Sequence, residues 1–100
     1  MRDQGVTTND RVFGILEKAA ASGARCPGNE AIAGMLQAEG VMISLGTVPG
    51  VISRLAREGR IEVRLYGHLW REVVIRAGRQ VGRSTEAPPS GAKPWRVIGG

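Results

Sequence analysis

The arginines in the stretch "TVPGVISRLAREGRIEV", which runs from residue 47 to residue 63, are the residues whose type and spacing suggest chemistry. Arg54 and Arg57 lie three positions apart, so a helix would carry both on one face. A guanidinium group is a planar fork of N–H donors that fits phosphate oxygens and the edge of guanine. The stretch therefore predicts a surface for a polyanion. Pro49 and Gly50, however, leave the start of the same helix with few groups that could read a base.

The basic residues are concentrated in the second half of the chain. Residues 1–50 carry four basic and five acidic residues, a net charge of −1, whereas residues 51–100 carry ten and four, a net charge of +6. Nine of those ten basic residues are arginine. This asymmetry favours a polyanionic partner. An ordinary basic surface is the alternative that charge alone leaves open.

Composition narrows the class of protein. One hundred residues suit a single domain, and 42% hydrophobic with 4% aromatic residues predicts an aliphatic core. Cys26 is the single cysteine, which excludes an internal disulfide and fits a reduced, cytoplasmic setting. The first ten residues lack the apolar run of a signal peptide, and no window approaches the ~20 apolar residues of a membrane span. We therefore expect a soluble protein with no membrane association.

The sequence lacks the usual patterns of catalytic and metal sites. It contains no glycine-rich phosphate loop, no paired Cys/His spacing, and no Ser-His-Asp set beyond chance. We therefore expect no enzymatic activity, no metal and no cofactor.

Two amphipathic helices are predicted before residue 41. Residues 1–8 form a flexible arm, and the first helix has three candidate N-caps, namely Thr8, Asn9 and Asp10. This helix ends at Gly23, and its apolar stripe consists of Val12, Phe13, Leu16, Ala19 and Ala20. The second helix follows Pro27, with Gly28 or Asn29 as its cap and Gly40 as its end. Its expected inward positions are Ala31, Ile32, Met35 and Leu36.

The third helix has two candidate starts. With Ser44 as the cap, Pro49 would remove a backbone hydrogen bond, so the first turn would be distorted. With Thr47 as the cap, Pro49 falls at the second helical position, where its missing N–H costs little. The predicted buried stripe is Val48, Val51, Ile52 and Leu55. The predicted outward positions are Pro49, Gly50, Ser53, Arg54 and Arg57.

After Gly59 the apolar period changes to two, which predicts a β-hairpin. Its first strand begins at Ile61, "LWREVVI" forms its second strand, and its tip holds Tyr66, Gly67 and His68. Residues 77–100 are rich in Gly, Pro, Ser and Arg, so they are predicted to be a flexible basic tail. The tail contains a short apolar segment, "KPWRVI", that could dock on the domain, bind a partner or do neither.

The order helix, helix, turn, helix, hairpin resembles the winged helix-turn-helix superfamily. "NEAIAGML" is similar to the support helix, "SLGTVPGVISRLAREGRI" to the recognition helix, and "GRIEVRLYGHLWREVVI" to the wing. The connection "QAEGVMIS" is longer than the turn of the simplest members and is similar to that of arginine-repressor-type winged helices. The resemblance covers residues 9–76. It implies an α+β fold in which three helices precede a two-stranded β-hairpin wing.

The resemblance also implies sequence-specific binding of double-stranded DNA, with the third helix in the major groove and the wing across a phosphate strand or the minor groove. The implied groove-facing residues are Ser44, Gly46, Thr47, Pro49, Gly50, Ser53 and Arg54. The implied wing residues are Arg64, Tyr66, His68 and Arg71. Arg54 is the strongest candidate for a base contact. The expected phosphate contacts are Arg57, Arg60, Arg64, Arg71 and Arg76, which Arg79 and Arg83 could extend.

We therefore expect a bacterial or phage-type transcriptional regulator, associated with the nucleoid, that acts by covering a promoter or operator. A homodimer and a contact with RNA polymerase are left open. Two other functions are also left open: a protein-interaction adaptor that binds RNA polymerase or another regulator, and a nucleoid-associated protein without sequence preference. Trp70 could stack on a nucleobase, but strand spacing favours packing against the first helix or a partner subunit.

Overall fold

Three helices precede four strands in the computed structural model, which describes residues 7–67, 70–77, 79–89 and 91–99. The helices are α1 (Thr8–Ser22), α2 (Asn29–Ala38) and α3 (Val48–Arg57), with a 3-10 turn at Leu45–Thr47. The strands are β1 (Ile61–Tyr66), β2 (Trp70–Ala77), β3 (Gln80–Ser84) and β4 (Arg96–Gly99). The fold is therefore α+β, as predicted. No helix in these ranges is long and apolar enough to cross a bilayer.

The start of α1 differs from the prediction by one residue. Thr7 is the N-cap: its hydroxyl accepts a hydrogen bond from the Asp10 N–H at 3.1 Å, and the Asp10 carboxylate accepts one from the Thr7 N–H at 3.2 Å. This capping box satisfies two N–H groups that a helix start leaves unpaired. The prediction of Thr8, Asn9 or Asp10 as the cap is wrong, because Asp10 acts from the third helical position. Residues 1–6 of the predicted arm lie outside the described residues.

Glycines mark the end of α1 and the start of α2. Gly23 ends α1 in the left-handed conformation, with φ of 67°, and Gly28 is the N-cap of α2. The predicted end of α1 is confirmed, and so is Gly28, one of the two predicted caps of α2. The second helix ends at Ala38, two residues before the predicted Gly40. The buried residues of α2 are Ile32, Ala33 and Leu36. The prediction that Ala31 and Met35 face inward is wrong, because these two residues, four apart on one side of the helix, lie at the exposed edge of the buried stripe.

Ser44 and Thr47 both contribute to the start of the third helix. Ser44 precedes the 3-10 turn, the Thr47 N–H donates to its carbonyl at 3.1 Å, and the two hydroxyls lie 2.9 Å apart. α3 then begins at Val48, so Pro49 stands where its lack of an N–H costs little. Each of the two candidate caps therefore precedes a helical segment: Ser44 precedes the 3-10 turn, and Thr47 precedes α3. The predicted stripe is confirmed, and the buried residues of α3 are Val48, Val51, Ile52, Leu55 and Ala56.

The four strands form one antiparallel sheet in the order β3-β2-β1-β4. The predicted hairpin is present as β1 and β2, with Ile61 opposite Ile75 and Tyr66 opposite Trp70. The prediction of a two-stranded sheet is wrong. β3 pairs with β2 and β4 pairs with β1, and both come from the predicted tail. They satisfy backbone N–H and C=O groups that the edges of an isolated hairpin would leave unpaired.

The core lies between the helices and one face of the sheet. Its fully buried side chains are aliphatic, as the composition predicts, and they include Val12, Leu16, Ile32, Leu36, Val48, Leu55, Ile61 and Val73. Successive strand residues point to opposite faces. Ile61 and Val63 therefore face the helices, and Glu62 and Arg64 lie on the other face. α3 packs beside β1 and β4, whereas α1 packs beside β2 and β3.

Candidate nucleic-acid interface

The outer side of α3 is the surface that the sequence predicts to read DNA. Its five outward positions are exposed, as predicted: Pro49, Gly50, Ser53, Arg54 and Arg57. Three further residues of the predicted surface are exposed at or before the start of the helix, namely Ser44, Gly46 and Thr47. The fold therefore brings these eight residues onto the exposed side of one helix and the turn that leads into it.

Contacts along α3 and at both of its ends fix its position. The Gln37 side chain donates to the Ile43 carbonyl at 2.7 Å, which fixes the connection between α2 and α3. Val48 and Leu55 are fully buried and anchor the inner side of the helix. At the far end Gly59 has φ of 77°, a left-handed conformation that stops the helix and turns the chain into β1.

Arg54 and Arg57 are exposed and have no side-chain hydrogen bond or ion pair to any other described residue. Both lie in the last turn of α3. A cation in this position interacts favourably with the helix dipole, but that interaction leaves its N–H donors in solvent. The donors of both guanidinium groups are therefore available to an anion or a base edge.

Arg60, a predicted phosphate contact, links the start of β1 to α1. Its guanidinium donates to Asp10 at 3.1 Å and lies 4.3 Å from the centre of the Phe13 ring. The Thr7 N–H and, next, the Arg60 side chain lower the pKa of Asp10, because both stabilise its carboxylate. Arg60 thus holds α3 against α1, and part of its hydrogen-bonding capacity is used within the chain.

The predicted wing residues Arg64 and Tyr66 belong to a polar network on the sheet face opposite the helices. The Arg64 Nε donates to Glu62 at 2.6 Å, and the Tyr66 hydroxyl donates to Glu72 at 2.6 Å. Glu62, Tyr66 and Glu72 are buried. Burial and, next, the Glu72 contact raise the pKa of Tyr66. The network also includes Arg76, which donates to Glu62 at 3.1 Å.

Arg71 fixes the hairpin to the start of α2. Its guanidinium donates to the Asn29 side chain at 2.8 Å, to the Pro27 carbonyl at 2.7 Å, and to the Cys26 sulfur at 3.4 Å. Burial raises the pKa of the Cys26 thiol, and the charge of Arg71 opposes that change. His68, the remaining predicted wing residue, lies outside the described residues.

Trp70 packs within the chain. Its indole N–H donates to the Glu86 carbonyl at 2.9 Å, and the Arg25 guanidinium lies 4.0 Å from the centre of the ring. Arg83, a predicted extension of the phosphate contacts, donates to the Ala21 carbonyl at 2.8 Å near the end of α1. Arg79 is exposed in the turn between β2 and β3.

The prediction missed two groups of exposed residues, one at β4 and one in the connection between α2 and α3. Lys93, which precedes β4, and Arg96, the first residue of β4, are both exposed. The alternation of Arg96, Val97 and Ile98 is a short strand signal that could have indicated this element. Met42 and Leu45 are 98% and 51% exposed in the connection between α2 and α3. Their exposure has no signal in the sequence, because an apolar residue beside a helix start predicts burial.

No cluster of three or more metal-binding side chains occurs within the described ranges. No protein-family model, curated protein or solved structure matches the chain. The basis for a proposed function is therefore the set of exposed and paired side chains around α3.

Proposed function

We propose that the chain is a winged helix-turn-helix protein that binds double-stranded DNA and regulates transcription by occupying a promoter or operator. One observation carries this proposal: α3 exposes Arg54 and Arg57 with no side-chain partner among the described residues, while Arg60, Arg64 and Arg71 are each engaged within the chain. A protein that needed all five arginines for folding would pair all five. Arg54 and Arg57 lie on the side of α3 that faces away from the core.

The shape of this surface suits the major groove, which is about 12 Å wide and admits a helix. Gly46 and Gly50 carry no side chains, and the space beyond each is open. The backbone at the start of α3 can therefore approach the bases closely. In this arrangement Arg54 would bind the O6 and N7 atoms of a guanine, and Pro49 would contact a thymine methyl.

The remaining cations would set affinity and register. Arg57 lies one turn beyond Arg54 and would bind a phosphate, a contact that carries no sequence information. Arg60, Arg64 and Arg71 would act indirectly, because their contacts hold α3, β1 and β2 in place. Direct reading then depends mainly on Arg54, so we expect modest sequence preference from one copy. A homodimer on a symmetric operator would double the reading surface.

The test compares selected and scrambled duplexes at one salt concentration. Fragments bound by the full chain are selected from random DNA. Fluorescence anisotropy then measures the affinity of the parent chain and of Arg54→Ala for the selected and the scrambled duplex, and the difference between the two duplexes is the discrimination. We expect that variant to lose discrimination by about 1–3 kcal/mol. Arg79→Ala is the matched control, since Arg79 is exposed in the turn between β2 and β3, at the edge of the sheet opposite β4. Unchanged discrimination in Arg54→Ala would refute the assigned reading surface.

A protein-interaction adaptor, with RNA polymerase or another regulator as its partner, is the second candidate. The exposure of Met42 and Leu45, three positions apart in the chain, favours it, because exposed apolar side chains are typical of protein contacts. Salt titration separates the functions. The DNA affinity of a regulator depends steeply on salt and is highest at a preferred site. The affinity of a nucleoid-associated protein depends steeply on salt but shows no preferred site. An adaptor binds every duplex weakly.

A further inference from the structure

The segment "KPWRVI", residues 93–98, has no role in the proposed function so far. We infer that this segment is a second DNA-contacting element. In it, Lys93 and Arg96 bind phosphates of the duplex next to the groove that α3 enters. The inference rests on the proposed function. It assigns to the last strand the phosphate contacts that the sequence predicts for the β1–β2 hairpin.

The segment is held firmly on β1. The Trp95 backbone N–H donates to the Leu65 carbonyl at 2.9 Å, and its indole N–H donates to the Gly67 carbonyl at 3.1 Å. Arg96 then pairs with Leu65 in the antiparallel register, and Ile98 pairs with Val63. Its backbone therefore provides a fixed position for the side chains it carries.

The end of β4 packs directly on α3. A Cβ atom built on Gly99 would lie 2.8 Å from the Ala56 Cβ and 2.8 Å from the Ala56 carbonyl oxygen. Only a residue without a side chain fits here, so the strand and the helix are in close contact. Ser53, Arg57 and Ile98 line the shallow groove between them. The exposed side of α3 and the strand β4 therefore form adjoining surfaces.

The alternation of the strand places Arg96 on the same side of the sheet as α3. Ile98 packs against the core from that side, and Arg96 lies two residues earlier. Its pairing partner Leu65 also packs against the core. Arg96 is exposed, however, so its guanidinium extends past the apolar layer into solvent. It lies on the side of the sheet that would approach DNA in the proposed function.

The charges of this edge are available, in contrast to those of the hairpin. Lys93 and Arg96 have no hydrogen bond or ion pair from their side chains to another described residue. Arg64 and Arg71 of the hairpin donate to Glu62 and Asn29. A duplex that reached the hairpin would have to compete with those contacts, whereas a duplex beside β4 would meet two solvated cations. Phosphate is the ligand that suits both the lysine point charge and the arginine fork.

The experiment measures the salt dependence of DNA affinity for the full chain, one double variant and one control variant. Lys93→Gln/Arg96→Gln removes the two charges of the segment and keeps side chains of similar length. Lys18→Gln is the control: it removes one exposed charge of α1, a helix that packs beside β2 and β3, away from β4. Thermal unfolding of each variant shows that the fold is retained.

We expect the first variant to flatten the log–log slope by about 1.8, since each lost phosphate contact contributes about 0.9. The control should keep the slope of the parent chain. Equal slopes for both variants would overturn the inference, and the proposed function would stand if the parent chain still prefers its selected site. A parent chain without salt-dependent affinity for DNA would overturn both.

Discussion

The Arg64 Nε lies 2.6 Å from a carboxylate oxygen of Glu62, its neighbour on the same face of the same strand. The other oxygen of that carboxylate accepts a hydrogen bond from Arg76 on the adjacent strand, at 3.1 Å. One carboxylate therefore holds two guanidinium groups on the outer face of the sheet. The Glu62 side chain is only 12% exposed, so water could replace the hydrogen bonds of its carboxylate only in part. This arrangement makes stability, rather than DNA contact, the expected role of both arginines.

Glu62→Gln tests that role. The variant leaves two arginine charges without their shared carboxylate. Breaking a buried ion pair costs about 3–5 kcal/mol, and the 37% exposure of Arg64 reduces this, so we expect unfolding to become easier by about 2 kcal/mol. Urea denaturation measures the change. Glu86→Gln is the control, because Glu86 is exposed, and an equal effect of the two substitutions would contradict the prediction.

Tyr66 provides a spectroscopic test of the same network. It is the single tyrosine of the chain, so tyrosinate absorbance reports its ionisation alone. Burial and the Glu72 contact raise its pKa above the ordinary value of 10.0. We expect a midpoint above that of the chain in denaturant. Glu72→Gln should lower the midpoint, and a midpoint that does not respond to this substitution would exclude the contact.

The raised pKa of Tyr66 also predicts a dependence of stability on pH. The folded chain keeps the phenolic proton at a pH where the unfolded chain has lost it. Its contribution to the free energy of unfolding is therefore complete below pH 10.0, the ordinary pKa, and decreases as pH rises further. Denaturation at several alkaline pH values measures this. Tyr66→Phe should show a smaller alkaline decrease than the parent chain.

Thr7→Ala should lower the free energy of unfolding by about 1 kcal/mol, the usual cost of a lost N-cap. Thr7 accepts from Asp10 and closes the capping box of α1. Thr8→Ala is the matched control, since Thr8 is the adjacent threonine and a candidate cap in the sequence. Thermal or urea unfolding measures both. A larger effect at Thr8 would place the cap where the sequence, and not the structure, predicts it.

Gly99→Ala should weaken the attachment of β4. The added methyl group would collide with Ala56, and φ of 82° disfavours a side chain at this position. Overpacking of this kind costs about 1–3 kcal/mol. Gly14→Ala, in an exposed part of α1 with open space beyond it, should instead stabilise the chain by up to about 1 kcal/mol. Hydrogen exchange of the Trp95 amide, which donates to Leu65, reports the attachment directly.

The helices were predictable because their signals are local. In α3 the apolar residues recur at helical spacing and Gly59 marks the end, so the buried and exposed sides follow from the residue types alone. The sheet edges were not predictable in this way. β3 and β4 are short, occur in a region rich in glycine and proline, and are stabilised by pairing with strands that the local sequence does not reveal.

The candidate site was predictable in its helical part and not in its hairpin part. The exposure of Arg54 follows from the helical period. The hydrogen bond of Arg60 does not follow from that period, because its partner Asp10 lies 50 residues earlier in the chain. Arg71 likewise depends on Asn29, which lies 42 positions earlier in the chain. An arginine pattern therefore indicates a polyanion site only after intramolecular partners are known.

The pairing of β4 with β1 has a consequence for the order of folding. The paired residues lie more than 30 positions apart, whereas only three residues separate β1 from β2. Closing the longer loop costs more entropy, so we expect the hairpin to form first and β4 to join last. During that interval one edge of β1 is open, and β4 of another copy could occupy it. Refolding at high protein concentration should therefore yield strand-exchanged dimers, and dilute refolding should yield monomers.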